Sequence, residues 1–204
     1  LCPMGGTSLF GWMEHNHFDE DAANFFLERA KNNVGLIIPG IAPLRGIMYG
    51  GWLYKNKKMF RQLKEYMVKI HATGAKLFVQ LTAGFGRSFA ITNPLVPFLK
   101  YPALGVFIKP FVDVSYICAS PSRLPSRWAE DVKVRALRKK EIEQMVYAFA
   151  ETARLCKEAG VDGVEVHAVH EGYLMDQFTT PYTNQRTDEY GGSFENRYRF
   201  ATDV

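Results

Sequence analysis

Short apolar runs alternate with helical segments along this chain, and this alternation limits the fold more than any other feature. The runs at Val34–Ile38, Lys76–Leu81 and Val161–Val166 each have the length of a buried strand. The segments between them carry apolar residues at helical spacing, and Gly74 and Gly160 follow two of them as stop signals. Strands separated by helices form a parallel sheet with right-handed crossovers.

The predicted helices have recognisable signals at their starts. Asp19 and Asp21 precede the first helix and Ser193 precedes the last, positions where short polar side chains cap free amides. The predicted helices span residues 22–32, 57–73, 139–159 and a stretch that begins near Phe194.

Two α/β architectures fit this order of elements. An open, doubly wound sheet calls for a G-x-G-x-x-G turn after an early strand, and the glycine pairs of this chain lack that spacing. A (β/α)8 TIM barrel places its chemical groups at the carboxyl ends of successive strands. Gly40, Gln80 and His167 lie at such ends. We therefore predict a TIM barrel, present as its N-terminal half of about four strand–helix units.

Residues 1–204 are interpreted as one domain that is truncated at both ends. Leu1 is not an initiator Met, and Val204 ends the chain inside a predicted helix. The stretch from about 82 to 138 is too long for a plain connection between strand and helix. We predict that it passes over the barrel mouth and includes a short strand at Val112–Cys118; a poorly ordered insertion is the alternative.

Composition excludes several classes of protein. Hydrophobic residues make up 47% of the chain and the formal charge is +4, which is ordinary for a globular domain. The sequence has no basic stripe of the kind that binds nucleic acid. It also has no run of about 18 apolar residues, the length that a membrane span needs. The three cysteines stand far apart, which argues against a disulfide framework or zinc site and favours a cytoplasmic protein. Assembly into a homo-oligomer stays open.

The residues with the strongest chemical signal follow the third predicted strand. His167 and His170 come directly after it, and Tyr173 follows Gly172. Imidazole N–H groups can hold and polarise a carbonyl oxygen, and a phenol can donate a proton. This set suits hydride addition to a carbon–carbon double bond conjugated to a carbonyl.

Other interpretations of these residues stand beside the catalytic one. A histidine at a strand end is often only a hydrogen-bonded structural residue, and Tyr173 alone would often be a packed aromatic. The spacing H-x-x-H-E matches neither common zinc motif and brings no evident third ligand, so we predict no metal site.

The same residues belong to a longer string that resembles the old yellow enzyme family of FMN-dependent ene-reductases. The version His-Ala-Val-His-Glu-Gly-Tyr-Leu is most similar to the branch with 2-enoate reductases, 2,4-dienoyl-CoA reductases and bile-acid oxidoreductases. The matching segments are Gly163–His167, Gly172–Leu174, Gln177–Phe178 and Asn184–Arg197.

The resemblance implies a cofactor, a donor and a role for each site residue. FMN would lie along Pro3, Met4 and Gly5, with Gly40 leaving room for the ring. Gln80 would pair with the pyrimidine edge of the flavin, although an ordinary polar residue at a strand end is the alternative. NAD(P)H would be the electron donor, and FAD and a 4Fe–4S cluster would belong to a missing C-terminal part.

For the substrate, the resemblance implies a small unsaturated carbonyl compound. His167 and His170 would hold its carbonyl oxygen, His167 would also touch the flavin, and Tyr173 would donate the proton. Glu171 departs from the family pattern as one extra residue before Gly172, so either His170 or Glu171 could face the substrate. A flavin-linked amine dehydrogenase and an inactive fragment are the rival interpretations.

Overall fold

In a computed structural model, which describes residues 1–91 and 93–204, the predicted strands are separated by long helices, and further short helices lie between the strand Lys76–Thr82 and the helix Lys139–Glu158. By its internal contacts the chain divides into unit 1 (Leu1–Ile47, Gly51–Thr82 and Ala148–His167) and unit 2 (Met48–Gly50, Ala83–Tyr147 and Ala168–Val204). The strands are β1 (Leu36–Ile37), β2 (Ala42–Pro43), β3 (Lys76–Thr82) and β4 (Gly163–Val166). The α-helices are α1 (Glu20–Lys31), α2 (Lys57–His71), α3 (Val96–Lys100), α4 (Pro102–Ile108), α5 (Val114–Ile117), α6 (Lys139–Glu158), α7 (Leu174–Thr179) and α8 (Phe194–Asp203).

The strands form a parallel sheet around β3 in unit 1. β1 pairs with the start of β3, β2 with its end, and β4 with its middle. Leu81 of β3 pairs with both Ala42 and Val166, so β2 and β4 lie on opposite edges of β3. Within the described residues this sheet is open.

The strand predicted at 34–38 is shorter in the structure, where it forms β1 (Leu36–Ile37), and Pro39 and Gly40 separate it from β2. Pro39 has no N–H for the ladder, and the N–H of Gly40 donates to the carbonyl of Thr7 at 3.3 Å instead. The N–H of Ile38 likewise donates to the carbonyl of Leu1 at 3.0 Å. The N-terminal segment therefore takes the hydrogen bonds that an unbroken strand would have made.

The helices of unit 1 follow their sequence signals closely. The side chain of Asp19 accepts from the N–H of Ala22 at 2.9 Å and caps α1. On α2, Leu63 and Ile70 are fully buried, as the helical spacing predicts. Gly74 has a φ of +82°, so it adopts the left-handed conformation that ends a helix.

The predicted strand at 112–118 in unit 2 is wrong, because this segment forms the short helix α5. The side chain of Asp113 accepts from the N–H of Tyr116 at 3.1 Å and caps the helix. Val114 and Cys118, four residues apart, are both buried, so the apolar residues share one helical face. The stretch from 82 to 138 also contains α3 and α4, two short helices that begin with proline in their first turn.

Two arginines stabilise the loop between α7 and α8 in unit 2. Arg186 donates to the carbonyls of Pro121 and Leu137 and pairs with Asp188. Arg197 donates to the carbonyl of Thr179 at 2.9 Å. The side chain of Ser193 accepts from a backbone N–H of α8 and caps it, as predicted.

Glu141 in the first turn of α6 carries a pH-sensitive contribution to stability. Its carboxylate accepts from Arg135 at 2.8 Å and from the backbone N–H of Arg138 at 2.8 Å. Burial alone would raise the pKa of Glu141, but these hydrogen bonds outweigh it and lower the pKa to about 2.

We expect Glu141→Gln to reduce the free energy of unfolding by about 2 kcal/mol at pH 7. The depressed pKa means that this stabilisation is present above the unfolded-state pKa of about 4.3 and is lost as the pH falls toward 2. Urea unfolding at pH 7, 4 and 2.5 measures this, with Glu143→Gln, an exposed residue of the same helix, as control. A difference between wild type and Glu141→Gln that is equal at pH 7 and pH 2.5 would refute this assignment.

The described part of the chain contains no helix of the length and hydrophobicity needed to cross a bilayer. All three cysteines are free, Cys2 at the surface and Cys118 and Cys156 in the interior. In residues 1–91 and 93–204, the acidic, histidine and cysteine side chains form no group of three that could hold a metal ion.

Candidate active site

Polar side chains collect at the carboxyl end of β3 and β4 in unit 1. Gln80 and Glu165 are register partners across the two strands, and the Nε2 of Gln80 donates to the Oε1 of Glu165. His167 follows β4 directly, and its backbone N–H donates to the carbonyl of Leu81 at 2.9 Å, which extends the ladder by one residue. Because side chains alternate along a strand, Glu165 and His167 lie on the same face.

Gln80 and His167 are both buried, each with 7% of its surface exposed. A buried carboxamide needs hydrogen-bond partners, and Glu165 satisfies one N–H of Gln80. This leaves the second N–H and the carbonyl oxygen of the same carboxamide for a further partner. Glu165 was given no role from the sequence, although its position two residues before His167 places it on the same strand face.

The N-terminal segment with Pro3, Met4 and Gly5 passes beside Gly40. A Cβ at Gly40 would lie 2.2 Å from the carbonyl oxygen of Met4, so only glycine allows this approach. The hydroxyl of Thr7 donates to the same carbonyl at 2.8 Å. Gly40 therefore positions the segment of Met4, while its direct contact with a flavin stays a prediction.

Residues 170–173, which follow His167 in the predicted catalytic segment, form a tight turn in unit 2. Glu171 has a φ of +49° and Gly172 a φ of +72°, so two consecutive residues adopt the left-handed conformation. One carboxylate oxygen of Asp176 accepts from the N–H of His170 at 2.8 Å and from that of Gly172 at 3.0 Å. Glu171, which the resemblance makes one residue more than the family pattern, lies in this turn, and its side chain is exposed.

Gln177 supports this turn from the buried side. Its Nε2 donates to the carbonyls of Gly172 at 2.7 Å and Phe85 at 2.9 Å, and its Oε1 accepts from the N–H of Arg87 at 3.2 Å. The hydroxyl of Ser88 also donates to Gly172, at 2.7 Å. Sequence reasoning gave neither Asp176 nor Gln177 a role, since nothing local shows that their side chains reach back to the turn.

Tyr173 follows the turn and packs between two rings. Its ring stacks on that of His170 with centroids 4.9 Å apart and an angle of 13°, and it meets Phe85 edge-on at 4.9 Å. Burial is the main cause that raises the pKa of Tyr173, and the charge of Glu171 raises it further while Arg127 lowers it. The hydroxyl therefore carries its proton at neutral pH, as a proton donor must.

The boundary between the two units lies after His167, inside the segment 167–173 that carries the predicted catalytic residues. Unit 1 thus contains the residues predicted to contact the flavin, together with Glu165. Unit 2 contains His170 and Tyr173, which the structure brings into ring contact.

A model of the NADH:flavin oxidoreductase / NADH oxidase family matches residues 4–204. The chain belongs to this family. Cinnamate reductase of Clostridium sporogenes is 37% identical over all of this chain, which spans 28% of that protein.

Two solved structures resemble the chain in fold. Old yellow enzyme of a Pichia species aligns with a TM-score of 0.67 and 29% identity over 92% of this chain and 46% of that one. Histamine dehydrogenase of a Rhizobium species aligns with a TM-score of 0.66 and 25% identity over 99% of this chain and 28% of that one. The fold prediction is confirmed: the parallel sheet matches part of the old yellow enzyme barrel, and the chain spans less than half of these relatives.

The residues of unit 1 fit the flavin that defines this oxidoreductase family. The pyrimidine edge of a flavin alternates donors and acceptors, and the buried Gln80 carboxamide offers both beyond its bond to Glu165. Met4 and Gly5 are exposed, so their backbone is accessible to a ring. Nothing lies within 4 Å of the position that a Cβ of Gly5 would take.

Proposed function

We propose that the protein reduces the activated double bond of α,β-unsaturated carbonyl compounds. The observation that carries the proposal is Tyr173, whose phenol ring stacks on His170 seven residues beyond the end of β4 and whose raised pKa keeps it protonated at neutral pH. Membership in the flavin oxidoreductase family and the similarity to a cinnamate reductase support this reaction class.

When bound, reduced FMN supplies a hydride to the β-carbon, with NAD(P)H as the electron donor. We assign His167 and His170 to hold the carbonyl oxygen, where negative charge grows as the hydride arrives. Tyr173 then donates its proton to the α-carbon, and the protein recovers a proton from solvent. Pro3, Met4, Gly5, Gly40 and Gln80 are assigned to hold the flavin, and FAD and a 4Fe–4S cluster remain predictions for a part beyond this chain.

An anaerobic assay of the full-length protein tests the proposal. The flavin is reduced with NADH or NADPH, and its reoxidation is followed after addition of cinnamate, an enoyl thioester or a cyclic enone. We expect rapid reoxidation with at least one of these and none with its saturated analogue. Failure of every activated alkene with fully reduced flavin would overturn the proposal.

A flavin-linked amine dehydrogenase is the second candidate, favoured by the likeness to histamine dehydrogenase. In that reaction an amine reduces the oxidised flavin, so electrons flow in the opposite direction. Bleaching of the oxidised flavin by primary or tertiary amines, without an effect of alkenes on reduced flavin, would favour this candidate.

Gln80→Ala should weaken FMN binding by about 1–3 kcal/mol, because a buried polar edge of the flavin would lose its partner. The dissociation constant can be measured by fluorescence quenching of FMN in the apoprotein. Gln62→Ala, a half-exposed glutamine of α2 in the same unit, is the matched control and should leave binding unchanged. Equal affinity and equal redox potential of wild type and Gln80→Ala would count against the assigned role.

A further inference from the structure

An open cleft of about 860 Å³ lies within unit 2, in the stretch between residues 98 and 136. This volume falls in the range of small-molecule sites, which measure roughly 300–1,000 Å³. Residues of α3 and α4, of the segment 113–115 and of the extended segment 123–136 line it; we call the lining residues of α3 and α4 its helical side and those of 123–136 its extended side. None of the residues assigned to the flavin or to the proton transfer lines it.

The helical side of the cleft is mostly apolar. Phe98 and Leu99 of α3 and Val106 and Ile108 of α4 line it. Val106 leaves 68% of its surface exposed, which is unusual for a valine that serves only the core. This side offers a surface to a hydrocarbon or aromatic body.

The extended side of the cleft is basic. Lys133 and Arg135 alternate with Val132 and Val134, which are buried, and Arg123 joins the two cations in lining the cleft. Arg135 is neutralised by Glu141, with N–O distances of 2.8 Å. The described residues place no acidic partner within ion-pair distance of Arg123 or Lys133.

The acidic residues of the cleft do not neutralise these two cations. Asp131 pairs with Lys100, and Asp113 lies 3.7 Å from the Nζ of Lys109. The positive charge of Arg123 and Lys133 therefore remains uncompensated beside an apolar surface.

We propose that this cleft binds an amphipathic organic anion, with its head group at Arg123 and Lys133 and its apolar body along α3 and α4. Charge selects the anion, because guanidinium and ammonium groups together complement a carboxylate or phosphate. The apolar side favours a ligand that has a hydrocarbon or aromatic part, which a small inorganic ion lacks. The site requires neither flavin nor the proposed reaction.

Titration calorimetry of the full-length protein with decanoate, decan-1-ol and decylammonium below their aggregation concentrations tests the proposal. These three probes have alkyl chains of similar length, and their head groups are anionic, neutral and cationic. We expect saturable binding of decanoate, at least tenfold weaker binding of decanol, and no binding of decylammonium. Decanoate should also bind several-fold more weakly in 0.5 M salt, because the head-group site is partly exposed.

Variants then locate the binding. Arg123→Gln combined with Lys133→Gln should weaken decanoate binding about tenfold, and Val106→Glu should abolish it. Lys140→Gln, which removes an exposed charge on α6 outside the cleft, should leave it unchanged. All four positions are exposed, and the melting temperature of each variant verifies its fold.

Decyl phosphate tests which head group the cleft prefers. If decyl phosphate binds more tightly than decanoate, the natural head group is a phosphate; if it binds more weakly, the head group is a carboxylate. Decanol binding as tightly as decanoate would overturn the proposal. The same holds if the double variant binds decanoate as the wild type does, or if Lys140→Gln weakens it equally. Absence of decanoate and decyl phosphate binding up to millimolar concentration would also refute it.

Discussion

Tyr173→Phe should slow alkene reduction by about 10²–10⁴-fold, the range that a well-placed general acid contributes. The substitution removes only the hydroxyl, so the ring contacts with His170 and Phe85 are retained. Reduction of the flavin by NAD(P)H needs no proton from this phenol and should stay near the wild-type rate. Stopped-flow measurement of the two half-reactions separates these effects.

Tyr182→Phe provides the matched control, because Tyr182 lies in the same unit with 72% of its surface exposed. This variant should leave both half-reactions unchanged. An equal loss in the two half-reactions of Tyr173→Phe would remove Tyr173 from the role of proton donor. A rate of alkene reduction that is unaffected by the substitution would do the same.

His170→Ala should cost roughly 2–4 kcal/mol of transition-state stabilisation, a loss comparable to that of one oxyanion donor. Glu171→Gln should cost little, since Glu171 has a left-handed backbone and an exposed side chain. An ionised carboxylate also cannot donate to a developing negative charge. The ratio kcat/KM for alkene reduction, measured for each variant, compares the two residues.

The ring of His170 also stacks on Tyr173, so loss of packing must be separated from loss of a donor. His170→Phe keeps an aromatic ring without N–H groups and should lose as much activity as His170→Ala. Recovery of activity in His170→Phe would show that the ring only positions Tyr173. Loss of alkene reduction in Glu171→Gln with activity retained in His170→Ala would mean that Glu171 holds the carbonyl.

The sequence alone determined the alternation of the main strands with the long helices. Helices α1, α2, α6 and α8 and strands β3 and β4 follow from apolar periodicity and from capping side chains, as at Asp19 and Ser193. These signals are local, because each involves residues within one or two turns of each other. The motif from 163 to 197 also indicated the family, which the family match confirms.

Local signals were less informative where several conformations suit the same residues. The segment 112–118 is short and apolar, so its composition allows a strand as well as one turn of helix. The cap at Asp113 and the shared burial of Val114 and Cys118 decided for the helix. The extra residue Glu171 posed the same problem, because spacing alone did not show where the chain would accommodate it.

Only the tertiary structure decided the features that depend on partners distant in sequence. Gly40 lies between β1 and β2, and its N–H donates to Thr7, 33 residues away, instead of to a neighbouring strand. Gln80 meets Glu165 across 85 residues, and the chain has no local pattern that pairs them. The left-handed turn at Glu171 and Gly172 is held partly by Ser88, whose hydroxyl donates to Gly172 from a segment 84 residues earlier. Periodicity and capping report on neighbours along the chain, whereas these hydrogen bonds exist only once the strands and loops have packed together.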